Sequence, residues 1–238
     1  MIAVCISARN EADNIDELVR TIVRSGYRAI VIDDASEDIA GALAIHAGAS
    51  VIRNKERLGI ARSYLKAWNA ALATGSDVIV QMDAGGSHSP YEIPALVEGL
   101  SDADIVIGSR FIRGATYHGR PVRALASRIA AASCNFAMPG ARFSDWTSGF
   151  RAYRREALEL LLSKKYYATM HPWQIEVLAQ ARASGLAVKE VPITYTAGRS
   201  SLGWKVIDEA IMTWLYLFFE IGSHRSKVNH HKQGVRNG

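Results

Sequence analysis

Short apolar runs that stop on polar residues recur through the first half of this chain, each followed by a stretch of helical period. Residues 2–7, 29–32, 50–53, 78–82 and 105–107 read as strands, and residues 13–25, 37–47, 60–73 and 91–100 as helices. In the first helix Ile15, Leu18, Val19 and Ile22 share one face, and Gly26 closes it. Strands alternating with helices of this length predict parallel βαβ units joined by right-handed crossovers. After Gly108 the pattern loosens: residues 124–136 read as an alanine-rich helix, 145–151 as a polar turn entering a strand, 172–184 as a helix and 187–193 as a late strand. The expected class is α/β, a mostly parallel central sheet flanked by helices.

A chain of 238 residues, 49% apolar, can bury a full core as one domain, or as one domain with an appendage. The formal charge of +5 favours anionic partners in general, without selecting nucleic acid, phosphate or membrane. Cys5 and Cys134 lie in apolar segments without metal or disulfide spacing, which fits a reducing, cytoplasmic compartment. Met1 leads straight into a strand, so no signal peptide is expected, and the apolar run 210–219 is too short to span a bilayer.

The chemistry gathers at strand ends. The strand at 78–82 runs into Asp83, Gly85, Gly86, Ser87 and His88 before Pro90. A carboxylate followed by glycines at a strand's carboxyl end suits a phosphate or its metal ion; taken alone, Asp83 could equally cap the next turn. Other strand ends present Ser7, Arg9, Asn10 and Glu11, then Asp33, Asp34 and Ser36, then Ser109 and Arg110. Each acid singly could be a helix cap. Several acids on one sheet edge repel one another, which is tolerated where a ligand or cation sits between them. A dinucleotide fold would place G-x-G-x-x-G after strand one, where this chain has Ser7-Ala8-Arg9-Asn10-Glu11-Ala12.

In unbroken order over residues 2–202 the chain resembles the family 2 glycosyltransferases of GT-A fold, most closely the polyprenyl-phosphate (dolichol-phosphate) mannosyltransferase group. The resemblance is carried by Ala8-Arg9-Asn10-Glu11, Ile32-Asp33-Asp34-Ala35-Ser36, Arg57-Leu58-Gly59, Met82-Asp83-Ala84 and Ser87-His88-Ser89-Pro90. It continues through Ile107-Gly108-Ser109-Arg110-Phe111, Arg123 with Ser127, and Asp145-Trp146-Thr147-Ser148-Gly149-Phe150-Arg151.

The resemblance implies a GT-A domain over residues 1–202 that moves a hexose, mannose or glucose, from a GDP- or UDP-linked donor to a polyprenyl monophosphate with inversion. Ser7, Arg9, Glu11, Asp33, Asp34, Ser36, Arg57 and Gly59 would form the nucleotide side, and Asp83 would face the diphosphate through Mg²⁺ or Mn²⁺. Arg110, Arg123 and Ser127 would take the acceptor phosphate, with Arg199 and Ser200 beside them, since a guanidinium fork pairs with phosphate in bidentate fashion. A phosphate monoester is largely dianionic at neutral pH and needs no base. If the acceptor is a glycan hydroxyl, a base is required, and Asp145 is the candidate. A non-catalytic nucleotide-sugar or lipid-phosphate binder is a further alternative, motivated by Gly85. No nucleic-acid partner is expected.

The chain departs from the family at three places. The usual Asp-x-Asp has Gly85 as its second member, removing one oxygen ligand for the cation. Ser7 and Arg9 stand where Pro and Tyr are usual. The late Arg-x-x-Gly-x-Ser-Lys reads Tyr195-Thr196-Ala197-Gly198-Arg199-Ser200-Ser201, with Arg199 and Lys205 as substitutes for the missing charge. Residues 203–222 read as an aromatic-rich helix and 223–238 as a basic tail. Such a pair either packs on the domain or rests on the membrane interface, with the tail meeting anionic lipid. Cytoplasmic, peripheral membrane association is the expectation.

Overall fold

The computed structural model describes residues 1–138, 140, 142–198 and 212–213. Five strands anticipated from the apolar runs form: β1 (Ile2–Ala8), β2 (Arg28–Asp33), β3 (Ser50–Arg53), β4 (Val78–Asp83) and β5 (Ile105–Ser109). They are joined by α1 (Ala12–Arg24), α2 (Ala40–His46), α3 (Ile60–Ala73) and α4 (Ile93–Gly99). Two helix starts differ from the sequence expectation. Residues 37–39 are not helical: the Asp38 carboxylate accepts from Ala40 N and from Ala12 N at 3.0 Å each, which holds this stretch as a turn, and α2 begins at Ala40. Residues 90–92 form a 3₁₀ turn and α4 starts at Ile93, where Pro94 falls in the first turn and its missing N–H costs nothing.

The second half adds β6 (Thr116–His118), α5 (Pro121–Ala137), β7 (Arg151–Arg154), α6 (Arg155–Leu162), α7 (Trp173–Ala183), β8 (Val188–Pro192) and β9 (Thr194–Thr196). The main sheet has seven strands in the order β3-β2-β1-β4-β7-β5-β8, and β6 pairs with β9 in a small parallel sheet. Among the described residues only β7 runs antiparallel in the main sheet, wedged between β4 and β5. α6, β6 and β9 were not anticipated from the sequence.

Side-chain alternation along the strands builds two cores. Val4, Ile6 and Ala8 of β1 face α1, α2 and α4, where Ile15, Val19, Ile22, Ala44, Ile93 and Leu96 are buried. Ala3 and Cys5 face α3, α6 and α7, and there Trp68 packs 5.0 Å from Trp173 and 5.1 Å from Tyr153 between ring centroids. A third cluster under α5 joins Ala131 and Cys134 to Ile107, Trp146 and Leu178. Both cysteines are free and buried; burial pushes the Cys134 thiol up to about 12, so neither is a reactive thiolate at neutral pH.

The loop that enters β7 is held by a cation with no access to water. Arg151 is fully buried and donates to the carbonyls of Trp146, Ser148 and Gln174 at 2.9 Å each. Gln81 of β4 donates to Gly149 O at 3.1 Å, tying the same loop to the sheet. Arg151→Met is expected to strand three buried carbonyls and to cost about 3 kcal/mol, read as a lower urea midpoint at unchanged m-value.

Candidate functional site

β2 lies on one side of β1 and β4 on the other, so the connections diverge between the carboxyl ends of β1 and β4, where a doubly wound sheet opens a crevice. Ser7 and Asp83 are register partners at that point. A cavity of about 310 Å³ lies there, lined among others by Glu11, Asp83, His88, Arg110, Arg123 and Tyr195.

Asp83 closes β4 with its side chain 39% exposed to the cavity. The Tyr64 hydroxyl stands 2.9 Å from Met82 O and 3.1 Å from Asp83 Oδ1, one proton serving both acceptors. Burial and the Asp83 charge push the Tyr64 phenol well above its usual value, so it stays a neutral donor. Below the carboxylate passes Gly149, where a Cβ would come 3.2 Å from Asp83 Oδ1. His88 lies 3.9 Å from Asp83 Oδ2 through Nδ1, its ring stacked on Phe150 at 5.0 Å. That Nδ1 is buried without a hydrogen-bond partner, and burial lowers the imidazole pKa, leaving the ring neutral at pH 7.

The missing second acid has a structural counterpart. A Cβ built on Gly85 would sit 3.3 Å from Glu11 Oε1, so the Glu11 carboxylate already fills the space beside that position. No group of three or more His, Cys, Asp or Glu among the described residues is arranged to enclose a metal ion. Mg²⁺ is commonly held by one or two carboxylates together with substrate phosphates. Asp83 and Glu11, open to one cavity, fit that shared kind of site.

Across the cavity Arg110 is held rigidly. Its Nε and Nη2 donate to the two oxygens of Asp145 at 2.6 Å each, its backbone N adds a third bond at 3.1 Å, and Nη2 meets Thr147 Oγ1 at 2.6 Å. The guanidinium carbon lies 5.0 Å from the ring centres of both Phe111 and Tyr195. Tyr195 reaches the site because β9 crosses the 85–88 loop, with a bridge from His88 to Tyr195 and Thr196 N donating to Ser87 O at 3.1 Å.

Asp145 was the candidate base for a hydroxyl acceptor, and its surroundings do not suit that role. It is fully buried; burial alone would raise its pKa, but the Arg110 guanidinium outweighs this and holds the carboxyl below the usual range. Both oxygens are committed to Arg110.

The other expected residues fall into two groups. Ser7, Glu11 and Arg123 line the cavity with Asp83 and Arg110. Asp33, Asp34, Ser36 and Gly59 are not among the residues that line it; they brace the loops at the ends of β2 and β3. Asp33 Oδ1 accepts from Ser36 N at 2.8 Å, and its Oδ2 lies 3.1 Å from Arg53 Nη1. Asp34 accepts from Asn54 Nδ2 and Leu58 N at 2.8 Å and from Gly59 N at 2.9 Å. Burial opposes its ionisation, yet these donors hold the Asp34 pKa low. Gly59 adopts φ 88°, which that turn requires. Arg9 reaches Glu37 at 3.4 Å, Arg57 is exposed, and Ser127 is half-buried on α5. Arg199, Ser200, Lys205, the expected helix at 203–222 and the tail at 223–238 lie outside the described residues. Among the described residues no helix is long and apolar enough to cross a membrane. Asn10, Asn14, His171 and Tyr195 also line the cavity; sequence reasoning did not assign them to the site. The motif around Asn10 and Asn14 was the available signal for two of them, whereas β9 is too short to have betrayed Tyr195.

Sheet order, switch-point cavity and strand-end carboxylates define an α/β protein with a polar ligand cleft at the carboxyl edge of its sheet. Residues 3–162 match the model of glycosyl transferase family 2, and the chain belongs to that family. It is 33% identical over 87% of its length to a polyprenol monophosphomannose synthase of Mycolicibacterium smegmatis, covering 83% of that protein. It is 30% identical over 77% of its length to an undecaprenyl-phosphate mannosyltransferase of Micrococcus luteus, covering 79% of that one. Among solved structures, glucosyl-3-phosphoglycerate synthase from Mycobacterium tuberculosis, in complex with Mn²⁺, uridine diphosphate and glucosyl-3-phosphoglycerate, shares the fold. The TM-score is 0.68 at 21% identity, over 91% of this chain and 79% of that one. The chain is thus a glycosyltransferase of α/β fold.

Gly149→Ala is expected to displace the Asp83 carboxylate and weaken nucleoside-diphosphate binding at least tenfold, measured by titration calorimetry, with little change in Tm. Asp145→Asn leaves Arg110 buried without its counter-ion and should cost about 3 kcal/mol of stability, read by chemical denaturation.

Proposed function

We propose that this glycosyltransferase moves a hexose, mannose or glucose, from a nucleotide-diphosphate sugar to the phosphate of a polyprenyl monophosphate, with inversion at the anomeric carbon. The observation that carries this reading is the polarity of the cavity. Carboxylates Glu11 and Asp83 stand at the sheet edge, and guanidinium groups Arg110 and Arg123 stand opposite. The names of the relatives, which pair mannose with polyprenol, undecaprenyl and dolichol phosphates, support it.

Two anions must meet in such a reaction, and the enzyme's task is to position them and to stabilise the departing nucleoside diphosphate. A divalent cation, when bound, supplies charge neutralisation at the leaving diphosphate. Asp83, fixed by Tyr64 and by the close passage of Gly149, would hold it together with Glu11. Arg110, clamped by Asp145 and flanked by Phe111 and Tyr195, presents a pre-oriented positive charge to the acceptor phosphate. Arg123 adds a second charge on the same side. The acceptor oxygen is already anionic and attacks without a base.

The test is transfer by the purified chain from GDP-mannose and UDP-glucose to a short polyprenyl phosphate, with 3-phosphoglycerate as a competing acceptor and EDTA as a control. Transfer to the lipid phosphate with one donor, suppressed by EDTA, is expected; Asp83→Asn and Arg110→Ala should each lower kcat/KM at least a hundredfold. Transfer only to 3-phosphoglycerate would overturn the lipid acceptor while keeping the donor site. With a dianionic acceptor the rate should fall as pH drops through about 6, the second pKa of the phosphate. The depressed pKa of Asp145 places its protonation well below that window, so Asp145 should contribute no limb to the profile.

A further inference from the structure

The outward face of α5 is apolar, the reverse of what a solvated helix shows. Val122, Leu125, Ile129 and Phe136 are 72%, 58%, 59% and 73% exposed, and their spacing places them in one stripe along the helix. The opposite face is the packed one, with Ala131, Cys134 and Ala137 in the core. Arg123 lies on the packed side, at the cavity.

Charge around the stripe has one sign. Residues 105–144 contain six arginines and no aspartate or glutamate. Arg113 and Arg120 are exposed before the helix, Arg128 on it and Arg142 beyond it. An apolar stripe carried on a segment with exposed arginines and no acid is complementary to a surface with negative headgroups above hydrocarbon, the arrangement of an interfacial helix.

We infer that the outer face of α5 docks the protein on a bilayer containing anionic lipids, with the helix axis in the membrane plane. At 1.5 Å per residue, the stripe from Val122 to Phe136 is about 21 Å long, enough to lay several side chains among the headgroups at once. Because Arg123 belongs to the same helix, docking brings the cavity it lines within about 10 Å, one helix diameter, of the lipid surface, a reach that suits a phosphate carried on a polyprenyl chain. That last consequence rests on the lipid-acceptor reading; the docking does not.

The test uses the full chain and vesicles without polyprenyl phosphate, so its outcome is independent of the acceptor. Co-sedimentation should favour vesicles of phosphatidylcholine with 30% phosphatidylglycerol over pure phosphatidylcholine at least tenfold, and 0.5 M NaCl should weaken it. Leu125→Glu/Ile129→Glu should reduce binding at least tenfold, with nucleotide affinity and Tm unchanged. Equal binding by that variant, or no binding by the native chain, would overturn the inference. Leu125→Cys carrying a polarity-sensitive dye distinguishes the occupants, since the native cysteines are buried. A blue shift on adding vesicles is expected. A probe already blue-shifted without vesicles would assign the stripe to residues 203–222 of the same chain, and a shift that grows with protein concentration to a second copy; either would overturn membrane docking.

Discussion

A guanidinium without solvent, Arg151, is the contact on which the site depends. Its three carbonyl acceptors fix the 146–151 turn as the chain enters β7, the antiparallel strand between β4 and β5. That strand places Gly149 against Asp83 and brings Asp145 up to Arg110. The two charged ends of the cavity, one from β4 and one from the end of β5, are therefore spaced by a single wedge. A buried cation is costly unless its hydrogen bonds are met, and here backbone oxygens of a loop meet them. The loop gains a unique shape in return.

The same logic separates residues that can touch ligand from residues that shape it. Asp34 and Asp145 look alike as strand-end or loop acids, yet both are saturated by protein donors. Asp83 and Glu11 retain open faces toward the cavity. Family resemblance marks all four, and only the hydrogen bonds of each carboxylate tell builders from contacts.

Much of this fold was legible in the chain. β3 and α3 formed with the bounds read from the apolar runs, because a strand between turn residues and a helix between Gly59 and Gly75 leave little choice. α2 begins late because Asp38, bonded to Ala12 N and Ala40 N, holds the residues before it as a turn, an effect of side-chain geometry that periodicity does not register. β6 and β9 are three residues each, too short to carry a period, and they pair across a long separation in sequence. For the same reason Tyr195, brought in by β9, was invisible as a site residue. That Arg110 occupies both oxygens of Asp145, the base candidate for a hydroxyl acceptor, is likewise not visible in sequence, since the two are 35 residues apart. The apolar face of α5 escaped notice since an alanine-rich helix reads alike whichever side is packed.

The turn at residues 54–59 carries a thermodynamic consequence. Its amides at Leu58 and Gly59 and the side chain of Asn54 are already tied to Asp34, and Lys66 holds Asn54 Oδ1 at 2.6 Å. A loop fixed before any ligand arrives has little freedom left to surrender on binding. If the nucleotide is held at this turn, as the proposed function has it, association resembles placing a tile in a set frame more than folding a flap over it, and the heat-capacity change should track the surface of the ligand itself.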